Sequence, residues 1–285
     1  MPNANLQRMK LQVLSVLAPK VAGKIATQLF SQSRNEANEF RKALTPMGAR
    51  CEKISSPDHR VENVYIWGDS GDIVLLVHGW GANCSSMFGF VQPLLDDGYR
   101  VATFDGPAHG CTPGEYATMW EYVTAAKDVI QHLGDVRFIV AHSLGGIVAM
   151  AAAAGDPKVE RIALISAPFS LMDVLDIWSG NSMKLPTGIR ERVLAQLLED
   201  NGVPVSYWDI GLHGKDWTKP VYVIHDEDDD VVGSNHADQI KQVFKDSKLS
   251  LTQGLGHAKI LMNQNVHNLV NDFISQKSEQ REAVI

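Results

Sequence analysis

Short, almost wholly aliphatic runs recur along this chain at 73–77, 100–104, 137–141, 161–165 and 221–224. A run such as Ile-Val-Leu-Leu-Val carries no alternation, so as a strand it has to bury both of its faces. Burial on both sides is the condition of a strand inside a parallel sheet covered by helices. The stretches between the runs supply the helices, with helical spacing at 119–133, 145–154, 235–244 and 259–274. Residues 61–67 alternate like one further strand, and 249–252 supplies another. The pattern predicts an α/β chain, a mostly parallel sheet flanked by helices.

One interval breaks the rhythm. Between Pro168 and Lys219 no strand is predicted, while Leu171, Met172, Val174, Leu175, Ile177 and Trp178 are followed by Ile189, Val193, Leu194 and Leu197. These residues read as a helical insertion at about 169–218. It lies within a domain spanning 51–285, and residues 1–50 form an N-terminal helical extension. In that extension Leu6, Met9, Val13, Leu17, Val21, Ile25 and Leu29 recur at three- and four-residue steps, predicting an amphipathic helix over 6–29 that Pro19 kinks or divides.

A chain of 285 residues is long enough for one large domain with a substantial core. Its net charge of −7 argues against a nucleic-acid partner, which needs a basic face for phosphates. The charge is uneven: Arg8, Lys10, Lys20, Lys24 and Arg34 give residues 1–34 a charge of +5 with no acidic residue, leaving −12 for the rest. Such a helix packs on its own domain or on a partner subunit, as in a homodimer; contact with an anionic membrane surface is the second reading. Cys51, Cys84 and Cys111 are odd in number and widely spaced, which fits a reducing compartment better than a disulfide framework or a zinc site. Neither a transmembrane run nor a secretory signal is expected, since Gln12 and Ser15 interrupt 11–18 and Pro19 closes it. The cytoplasm is the expected location.

The chemistry-bearing feature is Ser143, set between the apolar run 137–141 and the pair Gly145-Gly146. A sharp strand-to-helix turn needs tiny residues two positions before and after its apex, and Ala141 and Gly145 fill those places. Alone this match is weak in a chain with 23 glycines. Two further polar residues follow strand ends, however. The acidic cluster at 226–230 follows the run 221–224, and His257 follows 249–252. Parallel strands deliver their carboxyl ends to one sheet edge, so a serine, a carboxylate and a histidine converge there in the order Ser, Asp, His.

With these motifs the chain resembles the α/β-hydrolase family over about 60–275. Val-His-Gly-Trp-Gly at 77–81 is similar to the family's oxyanion loop, Phe-Asp-Gly-Pro-Ala-His-Gly at 104–110 to the loop after the next strand, and 225–232 to the acid-bearing segment. The resemblance implies the α/β-hydrolase fold with a helical cap insertion. It also implies Ser143 as nucleophile, His257 as general base and Asp229 as the acid. Asp229 stands four residues after His225 and three before Val232, with Asp228 the substitute; Asp226, Glu227, Asp228 and Asp230 read as a solvated acidic loop. Backbone N–H groups of Trp80 and Leu144 would form the oxyanion hole, and the Trp80 indole would line the acyl side of the pocket. His78, His109 and His225 read as structural histidines that hold loops. His142, adjoining Ser143, should point its side chain elsewhere. Ala141 replaces the usual first glycine of the turn, and Gly233 stands where proline is frequent.

Serine rather than aspartate at 143 favours acyl transfer over alkyl-ester chemistry. The expected activity is hydrolysis of a small-molecule carboxylic ester with an apolar acyl group, without cofactor or metal. A thioesterase, a lipase-like or other acyl-bond hydrolase, and a non-catalytic binding scaffold stand as alternatives.

Overall fold

The computed structural model describes residues 4–33, 46–56, 60–186 and 188–275. Its sheet is built from β1 (Arg50–Lys53), β2 (Asn63–Trp67), β3 (Ile73–Val77), β4 (Arg100–Phe104), β5 (Val136–His142), β6 (Arg161–Ile165), β7 (Val221–Asp226) and β8 (Ser247–Thr252), in the order β1-β2-β4-β3-β5-β6-β7-β8. β2 pairs antiparallel with both β1 and β4. The pairs from β4 through β3, β5, β6 and β7 to β8 are parallel. Every aliphatic run named from the sequence is a strand. β1 was not foreseen, because Arg-Cys-Glu-Lys on a sheet edge carries neither an apolar run nor an alternation.

The helices in chain order are α1 (Ala4–Leu17), α2 (Pro19–Ser31), α3 (Val91–Asp96), α4 (Met119–Leu133), α5 (Gly145–Ala153), α6 (Leu171–Asp176), α7 (Ile189–Asn201), α8 (Ile210–Gly214), α9 (Asn235–Val243), α10 (Gly256–Lys259) and α11 (Gln264–Ser275). The expected helix over 6–29 is divided at Ala18, and Pro19 opens α2, where its missing N–H costs nothing. The expected helix over 259–274 is broken instead into α10, a tight turn over Ile260–Met262, and α11. Asn263 causes the break: its side-chain oxygen accepts the N–H groups of Asn265 (2.9 Å) and Val266 (3.3 Å) and caps α11.

Strand residues alternate between two cores, one on each face of the sheet. In β3, Ile73, Leu75 and Val77 join the core under α4, α5 and α9, whereas Val74 and Leu76 join the one under α3 and α11. All nine residues of α5 are buried. Its two leading glycines allow this, since a Cβ at Gly146 would come within 2.7 Å of the Ala167 Cβ.

The interval without predicted strands carries α6, α7 and α8 between β6 and β7, closed at its base by an isolated bridge between Ser170 and Asp209. Leu171, Leu175, Ile189, Val193, Leu197 and Ile210 sink into the same core as α5. The N-terminal helices join that core through Leu11, Ala22 and Ala26, while Leu6, Met9, Val13 and Leu17 face solvent. Arg34, the last cation of the basic segment, lies outside the described residues. Among the described residues no helix is long and apolar enough to cross a membrane.

Truncating Ile147, fully buried in α5, is expected to cost about 2–5 kcal/mol in Ile147→Ala, whereas Leu198→Ala on the solvent face of α7 should stay within about 0.5 kcal/mol. Guanidinium denaturation compares the two. A loss below about 1 kcal/mol for Ile147→Ala would show that α5 is not packed as described.

Candidate active site

β5 ends at His142 and α5 begins at Gly145, so the chain reverses within two residues. Ser143 sits at the apex with φ +52°, a left-handed conformation that costs a β-carbon-bearing residue about 1–2 kcal/mol. Tight bonds hold it there: its N–H donates to the Ile165 carbonyl (2.9 Å), and its own carbonyl accepts the Gly146 N–H (2.8 Å). Gly145 is obligatory, because a Cβ there would lie 2.5 Å from the His78 carbonyl oxygen. A Cβ on Gly79 would likewise reach within 2.9 Å of the Ser143 Cβ. Ala141 is fully buried in β5 and serves as the small residue before the turn.

The structure brings the three sequence-predicted side chains together. The Ser143 hydroxyl donates to His257 Nε2 at 3.0 Å, and His257 Nδ1–H donates to Asp229 Oδ2 at 2.8 Å. The carboxylate fixes the proton on Nδ1 and leaves Nε2 as the acceptor. The second oxygen of Asp229 accepts the N–H groups of Val231 (2.9 Å) and Val232 (2.8 Å). Burial opposes ionisation of this carboxyl, but hydrogen bonds from His225, His257 and Val232 outweigh it and hold Asp229 well below the usual carboxylate range. Asp228, the alternative acid, is exposed and accepts the Gly254 N–H at 2.9 Å instead.

The acidic loop departs from its sequence reading at one place. Glu227, Asp228 and Asp230 are exposed as expected, but Asp226 is fully buried at the end of β7. Its carboxylate accepts the Thr252 hydroxyl (2.7 Å) and the N–H groups of Asp228 (3.1 Å), Leu255 (3.1 Å) and Gly256 (2.9 Å). Burial pushes its pKa up, these four donors pull it down, and the donors prevail. Asp226 thus ties the loop leading to His257 onto the strand that leads to Asp229. Five adjacent acids look alike in sequence; Asp226 is the one that closes β7, where Thr252 and the 255–256 backbone supply its donors.

His142 also does more than its sequence reading allowed. Its ring lies 4.8 Å from that of His257, and its Nε2–H donates to the His257 carbonyl at 2.9 Å. Burial, then the neighbouring His257, push its pKa down to about 3, so the ring is neutral. The other histidines hold loops as expected. His78 accepts the Gly106 N–H (3.0 Å) and donates to the Gly79 carbonyl (2.8 Å). His109 accepts the Gly81 N–H (2.9 Å) and donates to the Pro107 carbonyl (2.7 Å), while His225 donates to the Val232 carbonyl (2.8 Å). Tyr122, not singled out in the sequence, completes this support by donating its hydroxyl to the His78 carbonyl at 2.7 Å.

Ser143 and His257 open into a cavity of about 510 Å³. Trp80 lines it, as do Leu171 and Trp178 of the segment between β6 and β7. Among the described residues, no group of three or more His, Cys, Asp or Glu side chains is arranged to hold a metal ion.

Residues 72–206 match the family described as alpha/beta hydrolase fold. A solved esterase of Pyrococcus furiosus superposes on 79% of this chain and 89% of its own, with a TM-score of 0.62 at 18% identity. The chain has the α/β-hydrolase fold. Among curated proteins carrying related sequence, a serine hydrolase-like protein of Danio rerio is 33% identical over 59% of this chain and 47% of its own length. A pimeloyl-[acyl-carrier protein] methyl ester esterase of Neisseria meningitidis serogroup C is 36% identical over 44% of this chain and 43% of its own. The chain therefore spans less than half the length of these relatives. Ser143, Asp229 and His257 lie at the carboxyl edge of the parallel strands, beyond the ends of β5, β7 and β8.

Two measurements follow from these environments. Asp226→Ala should lower unfolding stability by about 1–3 kcal/mol, because it leaves the Leu255 and Gly256 N–H groups unpaired; Asp226→Asn, which keeps acceptor capacity, should lose less. Equal losses would assign Asp226 no hydrogen-bonding role. Burial keeps His78, His109 and His142 neutral in the folded protein, with His109 and His142 pushed down to about 3. Unfolded histidines protonate near pH 6.5. As pH falls from about 6.5 toward 4 the unfolded chain therefore gains protons the folded one refuses, and stability drops by on the order of 1 kcal/mol per histidine per pH unit. Below about pH 4 protonation of Asp226 and Asp229 adds to the loss. Denaturation midpoints across pH 7.5 to 4.5 test this, and a flat profile would refute it.

Proposed function

We propose that this protein is a serine hydrolase that cleaves carboxylic esters carrying an apolar acyl group. The observation that carries the proposal is the continuous hydrogen-bonded chain Ser143–His257–Asp229, at 3.0 and 2.8 Å, opening into an apolar cavity. Ser143 Oγ attacks the ester carbonyl while His257 Nε2 takes its proton. The C–O bond to the alcohol then breaks, and the imidazolium returns the proton to the departing oxygen. Water, deprotonated by the same nitrogen, attacks the acyl-enzyme and releases the acid and free Ser143. Asp229 holds the ring tautomer and stabilises its charged form.

The N–H groups of Trp80 and Leu144 are assigned to the oxyanion that develops on the carbonyl oxygen. Leu144 precedes the first residue of α5, whose N-terminal dipole adds favourable potential at that point. Tyr122 and His78 brace the Trp80 loop from below. The helices between β6 and β7 act as a cap that supplies apolar walls and excludes water from the acyl-enzyme. The relatives named as esterases support this bond class, as does the serine at 143.

A p-nitrophenyl ester series of rising acyl length tests the reading. Ser143→Ala should lose at least about 10³-fold in kcat and all labelling by a fluorophosphonate probe. Asp229→Asn should lose about 10³- to 10⁴-fold while retaining its fold. Hydrolysis that survives intact in Ser143→Ala would refute the mechanism.

A further inference from the structure

The N-terminal helices were expected to pack as an extension on their own domain or on a partner subunit, and α2 ends inside the cavity that holds Ser143. Leu29 and Phe30, from its last turn, line that cavity beside Trp178, and the Phe30 and Trp178 rings meet edge to face at 5.1 Å. The turn is stitched to the fold by backbone. Ala117 N–H donates to the Ser31 carbonyl (3.0 Å), Ser33 N–H donates to the Glu115 carbonyl (3.2 Å), and Gln32 bridges Tyr116. The Trp80 indole N–H donates to the Gln32 carbonyl at 3.1 Å. Higher up, α2 buries Ala22, Gly23, Ala26 and Thr27. Its crossing with α7 is close, for a Cβ on Gly23 would lie 2.7 Å from the Arg192 Cβ.

These contacts make α2 a fixed wall of the pocket. A helix docked through small residues, with its final turn tied on both sides, has little room to yield to a longer ligand. Leu29 and Phe30 reach the cavity from the chain segment before β1, whereas Trp178 and Leu171 reach it from between β6 and β7.

Resting on the ester-hydrolase reading above, we propose that Leu29 and Phe30 are the residues that set the acyl-chain length this enzyme accepts. The apolar acyl chain runs from the carbonyl at Ser143 between Trp80 and the cap helices and ends against the last turn of α2. Truncating the wall lengthens the slot. Enlarging Leu29 shortens it.

The test measures kcat/KM for p-nitrophenyl acetate, butyrate, octanoate and dodecanoate, with fluorophosphonate labelling of Ser143 as a readout independent of chain length. The double substitution Leu29→Ala and Phe30→Ala should raise the dodecanoate-to-octanoate ratio about tenfold, since one or two methylenes in an apolar pocket carry discrimination of that order. Leu29→Trp should lower the octanoate-to-acetate ratio about tenfold, a change in the opposite direction that misfolding would not produce. If both variants change every ester by a common factor, α2 is a structural brace and the assignment is overturned. Should wild type label with the probe and cleave all four esters at equal kcat/KM, the wall sets no length and the assignment is again overturned, with the hydrolase reading intact. Absence of both labelling and hydrolysis in wild type would overturn the hydrolase reading and this assignment with it.

Discussion

Ser143 is held at φ +52° where β5 turns into α5, and the remainder of the site is arranged around that strained residue. A serine in this conformation points its hydroxyl outward from the sheet edge, where a histidine on another strand's loop can reach it. The strain persists because neighbours over-determine the turn: Ile165 and Gly146 bind its backbone, and the 77–79 segment presses against it so closely that Gly79 and Gly145 can carry no side chain. The same press of backbone brings the Trp80 loop alongside the nucleophile. Placement of Ser143 and placement of the Trp80 loop are therefore one packing event.

Asp229 and His257 are positioned by a second device, the buried Asp226. Its carboxylate gathers donors from the β8 end and from the loop before His257, while Asp229, three residues on, takes the imidazole. Two carboxylates three residues apart thus divide the work, one ordering the loop and the other the ring. His142 adds a third restraint by binding the His257 carbonyl from the far side. Residues that looked like surface charge or bystanders in the linear sequence form a cage around His257.

Above this floor the cavity is walled by segments remote in sequence, the last turn of α2, the Trp80 loop and the helices between β6 and β7. The floor resides in strand ends and the walls in helices that need no fixed relation to them. This separation is why a shared fold leaves the substrate open.

Much of this was legible in the chain. Aliphatic runs announce strands covered on both faces, because exposed backbone of that composition would have no partner for its side chains. Ser143, Asp229 and His257 could be named because each follows such a run, and parallel strands end on one edge. Residues whose role depends on a three-dimensional neighbour left no mark. Asp226 is one acid among five, and its inward turn follows from its place at the end of β7 and from where Thr252 and Gly256 lie. β1 has no apolar signature, since an edge strand of Arg-Cys-Glu-Lys is held by its ladder with β2 and by the Glu52–His132 contact rather than by an apolar face. Leu29 and Phe30 show only the helical period of an amphipathic segment. Periodicity reports which face of a helix is apolar, whereas what that face meets depends on how α2 crosses α7, a contact between residues about 170 positions apart. The sequence by itself determined the parallel strands, the edge where they end and the three side chains that meet there; the tertiary structure alone decided the edge strand β1, which further side chains hold the three and which helix closes the pocket.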